Sequence, residues 1–303
     1  MKTLPCIFDI RRYSVNDGPG IRTTIFFKGC TLNCAWCHNP ESINTKPEKL
    51  FAENKCIACR LCMKTCTENA ISFTDHIIST NRDHCIVCGN CAEVCPSRAS
   101  EICGKTYQPD ELFKIIEKDL PFFIQSGGGV TFSGGEPLIH ADYIKDIISR
   151  CKQAGIHTTI DTAGNIKTET ITGIARIADL FLFDLKSMNE EVHKKWTGSS
   201  NKLILHNLSV ISATGARIII RMPLIAGIND STDDIHAAAR YISELPAMPE
   251  IIQLLPYHNI AGHKLNKLGK TDDFQGFMPP SESSIQRALG IFKQYGIAAE
   301  TGA

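Results

Sequence analysis

The sequence predicts an α/β protein, a partial (β/α)6 TIM-like barrel that carries a small inserted domain. Two observations predict it. After residue 105, short β-rich apolar runs alternate with segments of helical periodicity, and before it a cysteine-rich stretch interrupts this pattern. Strands that alternate with helices favour a parallel sheet. The pattern contains six such strands, fewer than the eight of a closed barrel, so we expect an open one.

Each predicted strand is a run of apolar and β-branched residues that ends at glycine or at a polar side chain. The first, residues 23–29, ends directly before Cys30. The others cover residues 130–132, 157–161, 179–186, 216–225 and 250–257. Helices are predicted where apolar residues recur at a spacing of three to four, as Leu112, Ile115 and Ile116 do. These segments are residues 109–125, 140–154, 169–177, 202–214, 231–245 and 281–295.

The chain has 303 residues, of which 32 are basic and 32 acidic, so its formal net charge is zero. A balanced charge argues against a nucleic-acid partner. No apolar run reaches the roughly 18 residues of a membrane span, and the N-terminal segment has charges where a signal peptide needs apolar residues. We therefore expect a cytoplasmic protein without a membrane partner, monomeric on its own. In a reducing compartment, 14 cysteines indicate metal binding rather than disulfide bonds.

Eight cysteines form two copies of the spacing C-x2-C-x2-C-x3-C, at residues 56–66 and 85–95. In bacterial ferredoxins, three thiolates of one such run and the fourth of the other hold a [4Fe–4S] cluster. We therefore expect residues 48–105 to be a ferredoxin-like α+β insert, and residues 1–47 and 106–303 to form the barrel. Zinc knuckles or a disulfide framework are the alternatives. The predicted clusters are held by Cys56, Cys59, Cys62 and Cys95, and by Cys85, Cys88, Cys91 and Cys66.

A third group, Cys30-x3-Cys34-x2-Cys37, has three cysteines and no obvious fourth. A [4Fe–4S] cluster held by three thiolates leaves one iron open, and an open metal position is where chemistry occurs. The alternative is a structural site with a fourth ligand from elsewhere in the chain. The candidates for that ligand are Cys6, Cys103 and Cys151.

The predicted strand ends are rich in glycine and polar residues. Because chemistry in α/β barrels gathers at the carboxyl ends of the strands, we expect these residues to converge with Cys30 at one mouth. Arg221 lies within an apolar run, where an unpaired charge is costly, so we expect it to face an anionic partner. The other strand-end residues are Gly134, Gly135, Glu136, Asp161, Thr162, Asp184, Lys186 and His258.

The sequence Gly-Cys-Thr-Leu-Asn-Cys-Ala-Trp-Cys-His-Asn at residues 29–39 resembles the cluster loop of radical S-adenosylmethionine (SAM) enzymes. Together with Asp17–Arg22 and Phe26–Gly29, it resembles the glycyl-radical-enzyme activating enzymes, which include pyruvate formate-lyase activating enzyme. The ferredoxin insert is typical of the longer members. The resemblance covers essentially the whole chain, although Ala163 stands where some relatives have asparagine. The later motifs that agree are Ser133–Pro137, Asp161–Gly164, Asp184–Lys186 and Leu255–His258.

The resemblance implies an oxidoreductase that cleaves SAM reductively to a 5′-deoxyadenosyl radical. This radical removes a hydrogen from a backbone glycine of a partner glycyl radical enzyme. The implied cofactors are SAM, a SAM-binding [4Fe–4S] cluster on Cys30, Cys34 and Cys37, and the two ferredoxin-type clusters. An external flavodoxin or ferredoxin would supply electrons, and the insert would act as an electron wire or as a docking surface. The alternatives are a radical SAM enzyme for a small molecule or nucleoside, and a non-enzymatic polyferredoxin.

The resemblance also implies residues that contact SAM. Trp36 and His38 would line the adenosine, and His258 would stack on or hydrogen-bond to the adenine. On the methionyl side, backbone groups at Gly134 and Gly135 would approach closely because glycine has no side chain. The other implied contacts are Glu136, Asp184 with the ribose hydroxyls, and Lys186 and Arg221 with carboxylates.

Two further roles follow from the resemblance. Asp161, Thr162 and Asp184 would provide oxygen ligands for a monovalent cation, Na+ or K+, near SAM. Asp17 would hold the glycine loop of the partner enzyme. Each of these residues also has an ordinary structural interpretation, as a turn residue, a core side chain or an ion pair.

Overall fold

The computed structural model describes residues 3–74, 77–258, 262–270 and 276–302. Its strands are β1 (Cys6–Ser14), β2 (Arg22–Phe27), β3 (Glu48–Phe51), β4 (Ile71–Thr74), β5 (Ile77–Thr80), β6 (Ser100–Cys103), β7 (Lys105–Thr106), β8 (Gly129–Gly134), β9 (His157–Thr162), β10 (Leu180–Asp184), β11 (Ile218–Leu224), β12 (Ile251–Pro256) and β13 (Ala299–Thr301). Its helices are α1 (Leu61–Lys64), α2 (Asn90–Glu93), α3 (Pro109–Glu117), α4 (Leu120–Ser126), α5 (Ala141–Gln153), α6 (Thr168–Ala175), α7 (Glu190–Thr197), α8 (Lys202–Ala213), α9 (Thr232–Ser243), α10 (Gly262–Lys267) and α11 (Glu282–Gln294).

Within the described residues, nine strands form one sheet in the order β13-β12-β11-β10-β9-β8-β2-β1-β7. The strands from β13 to β2 in this order are all parallel, which confirms the predicted parallel sheet and includes all six predicted strands. The sequence analysis missed three strands of this sheet. Two of them, β1 and β7, extend it by antiparallel pairing, and β13 lies at its other edge.

The prediction of one helix over residues 109–125 is wrong, because the chain forms α3 and α4 with a break at Lys118 and Asp119. Pro121 lies in the first turn of α4, where its missing N–H is tolerated, whereas inside a continuous helix it would remove a hydrogen bond. The buried Asp119 accepts hydrogen bonds from Arg12 (2.9 Å) and Thr23 (2.5 Å). These contacts hold the break against β1 and β2. The sequence analysis also missed α7.

The main apolar core lies between the parallel sheet and the helices that connect its strands. In β10, the four residues Leu180–Phe183 are all buried although they point alternately to the two faces, as in other parallel sheets. The strand register brings Gly134 beside Phe27, and Arg221 beside Asp184, at one edge of the sheet. No helix in the described ranges is long and apolar enough to span a membrane.

The cysteine-rich segment begins and ends at one place because β3 pairs antiparallel with β6, with Glu48 opposite Cys103. Between these strands lie α1, α2 and the hairpin of β4 and β5. Ile71, Ile78 and Cys91 form a small apolar cluster there, separate from the main core.

Candidate active site

The three-cysteine loop, residues 30–37, follows β2 and is fastened to the end of α7. Asn33 donates its backbone N–H to the carbonyl oxygen of Thr197 (2.8 Å), and Ala35 donates to that of Trp196 (2.9 Å). The helix that the sequence analysis missed therefore positions the cysteine loop.

The three cysteines of this loop are half-buried. Burial raises the pKa of Cys30 and Cys34 to about 12 and that of Cys37 to about 11, while Lys186 acts in the opposite direction on all three. The thiolate is the metal-binding form of cysteine. Because the pKa values are raised, the three thiolates are stable only beside strong positive charge, which a metal centre supplies. In the described ranges, no three His, Cys, Asp or Glu side chains are grouped to hold a single metal ion. A cubane is a different case, since its thiolates bind different irons.

Gly134 and Gly135, at the end of β8, pack against β2 and the start of the cysteine loop. Gly134 has a φ of 117°, and a Cβ there would lie 2.3 Å from the backbone of Phe27. A Cβ on Gly135 would lie 2.1 Å from the carbonyl oxygen of Gly29. Only glycine permits this approach. Both residues are therefore required by the packing of the strand end itself.

Glu136 connects the ends of β8 and β9. Its buried carboxylate accepts hydrogen bonds from the Thr162 hydroxyl (2.8 Å) and from the backbone N–H groups of Leu138 (3.1 Å) and Ala163 (3.2 Å). Burial raises the pKa of Glu136 to about 7, although these donors lower it. Since both carboxylate oxygens accept hydrogen bonds within the protein, the structure shows Glu136 in a positioning role, and its expected contact with the cofactor stays a prediction.

Arg221 has the anionic partners that its apolar strand requires. Its Nη1 lies 3.3 Å from the carboxylate of Asp161, and its Nη2 lies 3.9 Å from that of Asp17. The Asp17 side chain is only 15% exposed and also accepts a hydrogen bond from Thr24 (2.7 Å), so it points into the protein. The Nε of Arg221 is buried and has no hydrogen-bond partner among the described residues. One donor of this guanidinium is therefore left for a ligand.

Lys186 places a positive charge between Asp184 and the cysteine loop. Its Nζ donates a hydrogen bond to Asp184 (2.9 Å). Burial lowers the pKa of Lys186, but Asp184, Cys34 and Cys30 raise it by more, so the net shift is upward. Asn229, a buried residue that the sequence analysis missed, donates to the backbone carbonyl of Lys186 (2.7 Å) and holds this strand end in place.

The three side chains predicted to bind a monovalent cation, Asp161, Thr162 and Asp184, each have a partner within the protein. Each side chain therefore already uses one oxygen in a hydrogen bond or an ion pair. The partners are, in the same order, Arg221, Glu136 and Lys186.

Aromatic side chains gather where β12 ends. The Trp36 and Tyr257 rings lie 6.0 Å and 5.8 Å from that of Phe277, and the His38 ring lies 6.2 Å from that of Tyr257. His258, the next residue, is exposed. Trp36 is buried, and its Nε1 has no hydrogen-bond partner in the part of the chain that the structure describes. A buried indole N–H normally has a partner, so this donor is suited to a bound ligand.

The chain matches the family model of the radical SAM superfamily over residues 24–241. It is 40% identical over 299 residues to trans-4-hydroxy-L-proline dehydratase activating enzyme of Clostridioides difficile, covering 98% of this chain and 99% of that protein. It is 37% identical to choline trimethylamine-lyase activating enzyme of Oleidesulfovibrio alaskensis, covering 95% of each. The chain belongs to the glycyl-radical-enzyme activating enzymes of the radical SAM superfamily. Membership implies a [4Fe–4S] cluster, SAM and a protein partner.

Two solved structures resemble this chain. A domain of pyruvate-formate lyase-activating enzyme from Bacteroides vulgatus is 38% identical with a TM-score of 0.51, covering 58% of this activating enzyme and 99% of that chain. A radical SAM methyltransferase from Sphaerobacter thermophilus, 18% identical with a TM-score of 0.50, shares the fold over 65% of this chain and 58% of its own.

In this activating enzyme, the eight cysteines of the segment 48–105 line two separate cavities. The two sets are the same quartets that the spacing predicts, each with its fourth cysteine from the other repeat. One cavity is lined by Cys56, Cys59, Cys62 and Cys95, and the other by Cys66, Cys85, Cys88 and Cys91.

The two repeats of this segment use the same unusual backbone turns. Ala58 and Val87, at equivalent positions, have left-handed φ values of 54° and 57°. For a β-branched residue such as Val87 this conformation is a genuine outlier, and such strain persists where the surrounding structure fixes it. The backbone N–H groups of Ala70 and Ala99 point at the sulfurs of Cys66 (3.3 Å) and Cys95 (3.2 Å).

Proposed function

We propose that this activating enzyme cleaves SAM at a cluster held by Cys30, Cys34 and Cys37 and installs a glycyl radical in a partner glycyl radical enzyme. When bound, the cluster would supply the electron that breaks SAM into methionine and a 5′-deoxyadenosyl radical, which removes the glycine hydrogen. The single observation that carries the proposal is the half-buried thiol trio beside Lys186, in a chain whose full-length relatives are activating enzymes.

The residues around the trio would bind and orient SAM. Trp36, with its unused Nε1 donor, and His38 would hold the adenosine, with His258 at the edge of the same aromatic group. The free Nε of Arg221 would meet the SAM carboxylate. Lys186 would offset negative charge beside the thiolates, and Asp184 would be available to the ribose hydroxyls.

Asp17 would act on the partner glycine loop through Arg221, since its carboxylate points inward to that side chain. We give a monovalent cation at Asp161, Thr162 and Asp184 no part in the proposed function, because each of these side chains already has a partner within the protein.

We further propose that residues 48–105 hold two [4Fe–4S] clusters that relay electrons from an external flavodoxin or ferredoxin. The two four-cysteine cavities and the N–H groups directed at sulfur support this proposal. Hydrogen bonds to the sulfurs of such clusters help set their reduction potentials.

The test begins with anaerobic reconstitution, chemical reduction and addition of SAM, followed by detection of 5′-deoxyadenosine. The reduced protein is then mixed with a candidate glycyl radical enzyme, and electron paramagnetic resonance is used to look for a glycyl radical. Absence of 5′-deoxyadenosine would contradict SAM cleavage. Its formation without a glycyl radical on any member of that enzyme class would instead favour a small-molecule or nucleoside substrate.

The matched pair of variants is Cys34→Ala and Cys151→Ala. Cys34 belongs to the trio, whereas Cys151 lies in the apolar core on α5. We expect Cys34→Ala to lose 5′-deoxyadenosine formation and Cys151→Ala to keep it. Equal activity in the two variants would remove the trio from the mechanism.

A further inference from the structure

Lys49, a residue to which the sequence analysis gave no role, lies in β3 at the base of the cysteine-rich segment. Side chains of a strand point alternately to its two faces. Glu48 forms an ion pair with the buried Lys28 (2.9 Å), and Leu50 packs with Cys103. The face of β3 that carries Glu48 and Leu50 therefore turns toward the barrel. Phe51, on the other face, packs against the cysteines of the segment. Lys49 shares the face of Phe51.

The Lys49 ammonium is buried and has no carboxylate partner among the described residues. The residue is 3% exposed, its Nζ donates a hydrogen bond to the Thr80 hydroxyl (2.8 Å), and it lies 5.3 Å from the Phe51 ring centroid. In the ranges that the structure describes, it forms no ion pair with Asp or Glu. A buried charge without a counter-charge is strongly unfavourable. Such an amine either gives up its proton or keeps its charge beside another source of negative charge.

The groups around Lys49 that can carry a negative charge are cysteines of both quartets. Lys49 lines the same cavity as Cys66, Cys85 and Cys91. Burial lowers the pKa of Lys49, and the thiolates of Cys91, Cys62 and Cys85 oppose that shift, while Arg82 adds to it. Cys62 belongs to the other quartet, so one ammonium lies within electrostatic reach of both sites.

We propose that Lys49 is a shared positive charge between the two ferredoxin-type clusters and raises the reduction potential of both. The inference rests on the proposed function, because it requires clusters at both quartets. Each reduction adds one electron, taken from the external flavodoxin or ferredoxin, and no bond forms or breaks in the protein. An ammonium in a low-dielectric site stabilises the more negative, reduced form. The effect is larger for the Cys66, Cys85, Cys88 and Cys91 cluster, whose cavity Lys49 lines.

The test compares three variants of the full chain, loaded with clusters and without SAM. Lys49→Met removes the charge and keeps a long side chain, and Lys49→Arg keeps the charge. Lys64→Met, on the exposed face of α1, removes a charge that solvent screens. Iron and sulfide are counted first, and the clusters are then titrated anaerobically at controlled potentials by electron paramagnetic resonance and visible absorption.

We expect Lys49→Met to lower the reduced-to-oxidised ratio of the nearer cluster, the one on Cys66, Cys85, Cys88 and Cys91, about tenfold at a fixed potential. For one electron, this is a midpoint potential lower by about 59 mV. The farther cluster shifts in the same direction by less. Lys49→Arg and Lys64→Met titrate like the unaltered protein.

Other outcomes separate the two proposals. If the unaltered protein holds about four iron atoms instead of about twelve, the two-cluster relay fails and the inference with it. If Lys49→Met keeps all its iron and both midpoints stay unchanged, the inference is overturned while the proposed function stands. If Lys49→Met loses iron, the iron content of Lys49→Arg decides between charge and shape. Iron retained in Lys49→Arg supports the pairing of the Lys49 charge with the clusters. Iron lost from Lys49→Arg as well shows that the shape of the side chain matters, and it overturns the inference.

Discussion

The cysteine loop at residues 30–37 and the segment 48–105 both contain closely spaced cysteines, but different parts of the molecule shape their surroundings. The three loop cysteines are half-buried, burial raises their pKa to about 11 or 12, and their neighbours come from distant strand ends. In the segment, Cys59 and Cys88 are exposed, and each site is shaped by short turns near its own cysteines. The comparison teaches that a cysteine motif can be held by the fold around it or by its own local backbone.

Loss of a cysteine should affect SAM cleavage differently in the loop and in the segment, and this is the largest effect that we expect. Cys37→Ser should abolish SAM cleavage with any reductant, because the buried loop has no spare thiolate to replace it. Cys59→Ser and Cys88→Ser should keep cleavage with a strong artificial reductant and lose it with a flavodoxin or ferredoxin donor. The measurement is 5′-deoxyadenosine formed per enzyme under each reductant.

The control for the relay is the donor-driven rate of the unaltered protein, measured in the same anaerobic preparation. Donor-driven cleavage that survives in both segment variants would leave residues 48–105 as a docking surface only.

The buried carboxyl group of Glu136 should make the free energy of unfolding depend on pH. Its folded-state pKa of about 7 lies above the ordinary value of 4.5, so its contribution is most favourable below pH 4.5 and is lost as pH rises toward 7. Relative to Glu136→Gln, the unaltered protein should lose roughly 3 kcal/mol of unfolding free energy over this interval and little above it. Chemical denaturation of both proteins between pH 5 and 8 measures this.

The Glu136→Gln variant has no carboxyl group to ionise, so only the pH dependence of the difference is diagnostic. A constant difference between the two proteins from pH 5 to 8 would show that burial does not raise this pKa.

Trp36→Phe sharpens the comparison at the SAM site. Since the Nε1 donor has no protein partner in the described residues, the change removes no protein hydrogen bond, and it should lower stability only through the packing lost with the smaller ring. It should weaken SAM binding by the value of one hydrogen bond, about 0.5–1.5 kcal/mol or up to roughly tenfold in Kd. Isothermal titration calorimetry under anaerobic conditions measures it. Trp196→Phe, on α7, is the matched indole control, and an equal loss in both variants would argue against a contact from Trp36.

The smallest expected effect concerns the local turns of the segment. Ala58 is exposed with a left-handed φ of 54°, so Ala58→Gly should raise stability by about 0.5 kcal/mol through relief of strain. Ala92→Gly, inside α2, should instead lower it by about 1 kcal/mol. Thermal unfolding followed by cluster absorbance compares them. Destabilisation by both changes would mean that the turn at Ala58 is not strained.

The sequence by itself determined the features that local spacing encodes. The strand and helix alternation predicted the parallel sheet, which the structure confirms, and the family motifs predicted the radical SAM activating enzyme, which the comparisons confirm. The cysteine spacings predicted two quartets, and the structure arranges the same side chains around two cavities. Three cysteines of each quartet lie within a few residues of one another, and the fourth follows from the second copy of the same spacing, so the quartets are readable along the chain.

Only the tertiary structure decided which strand-end residues are free for a ligand. Glu136 and Thr162 are engaged with each other, and Asp17 turns inward to Arg221, because parallel strands bring side chains from distant parts of the chain to one edge. The position of Lys49 near both quartets follows from the pairing of β3 with β6, which turns that side chain toward them. Burial and partnership are properties of the packed molecule, since they depend on residues far apart in the chain.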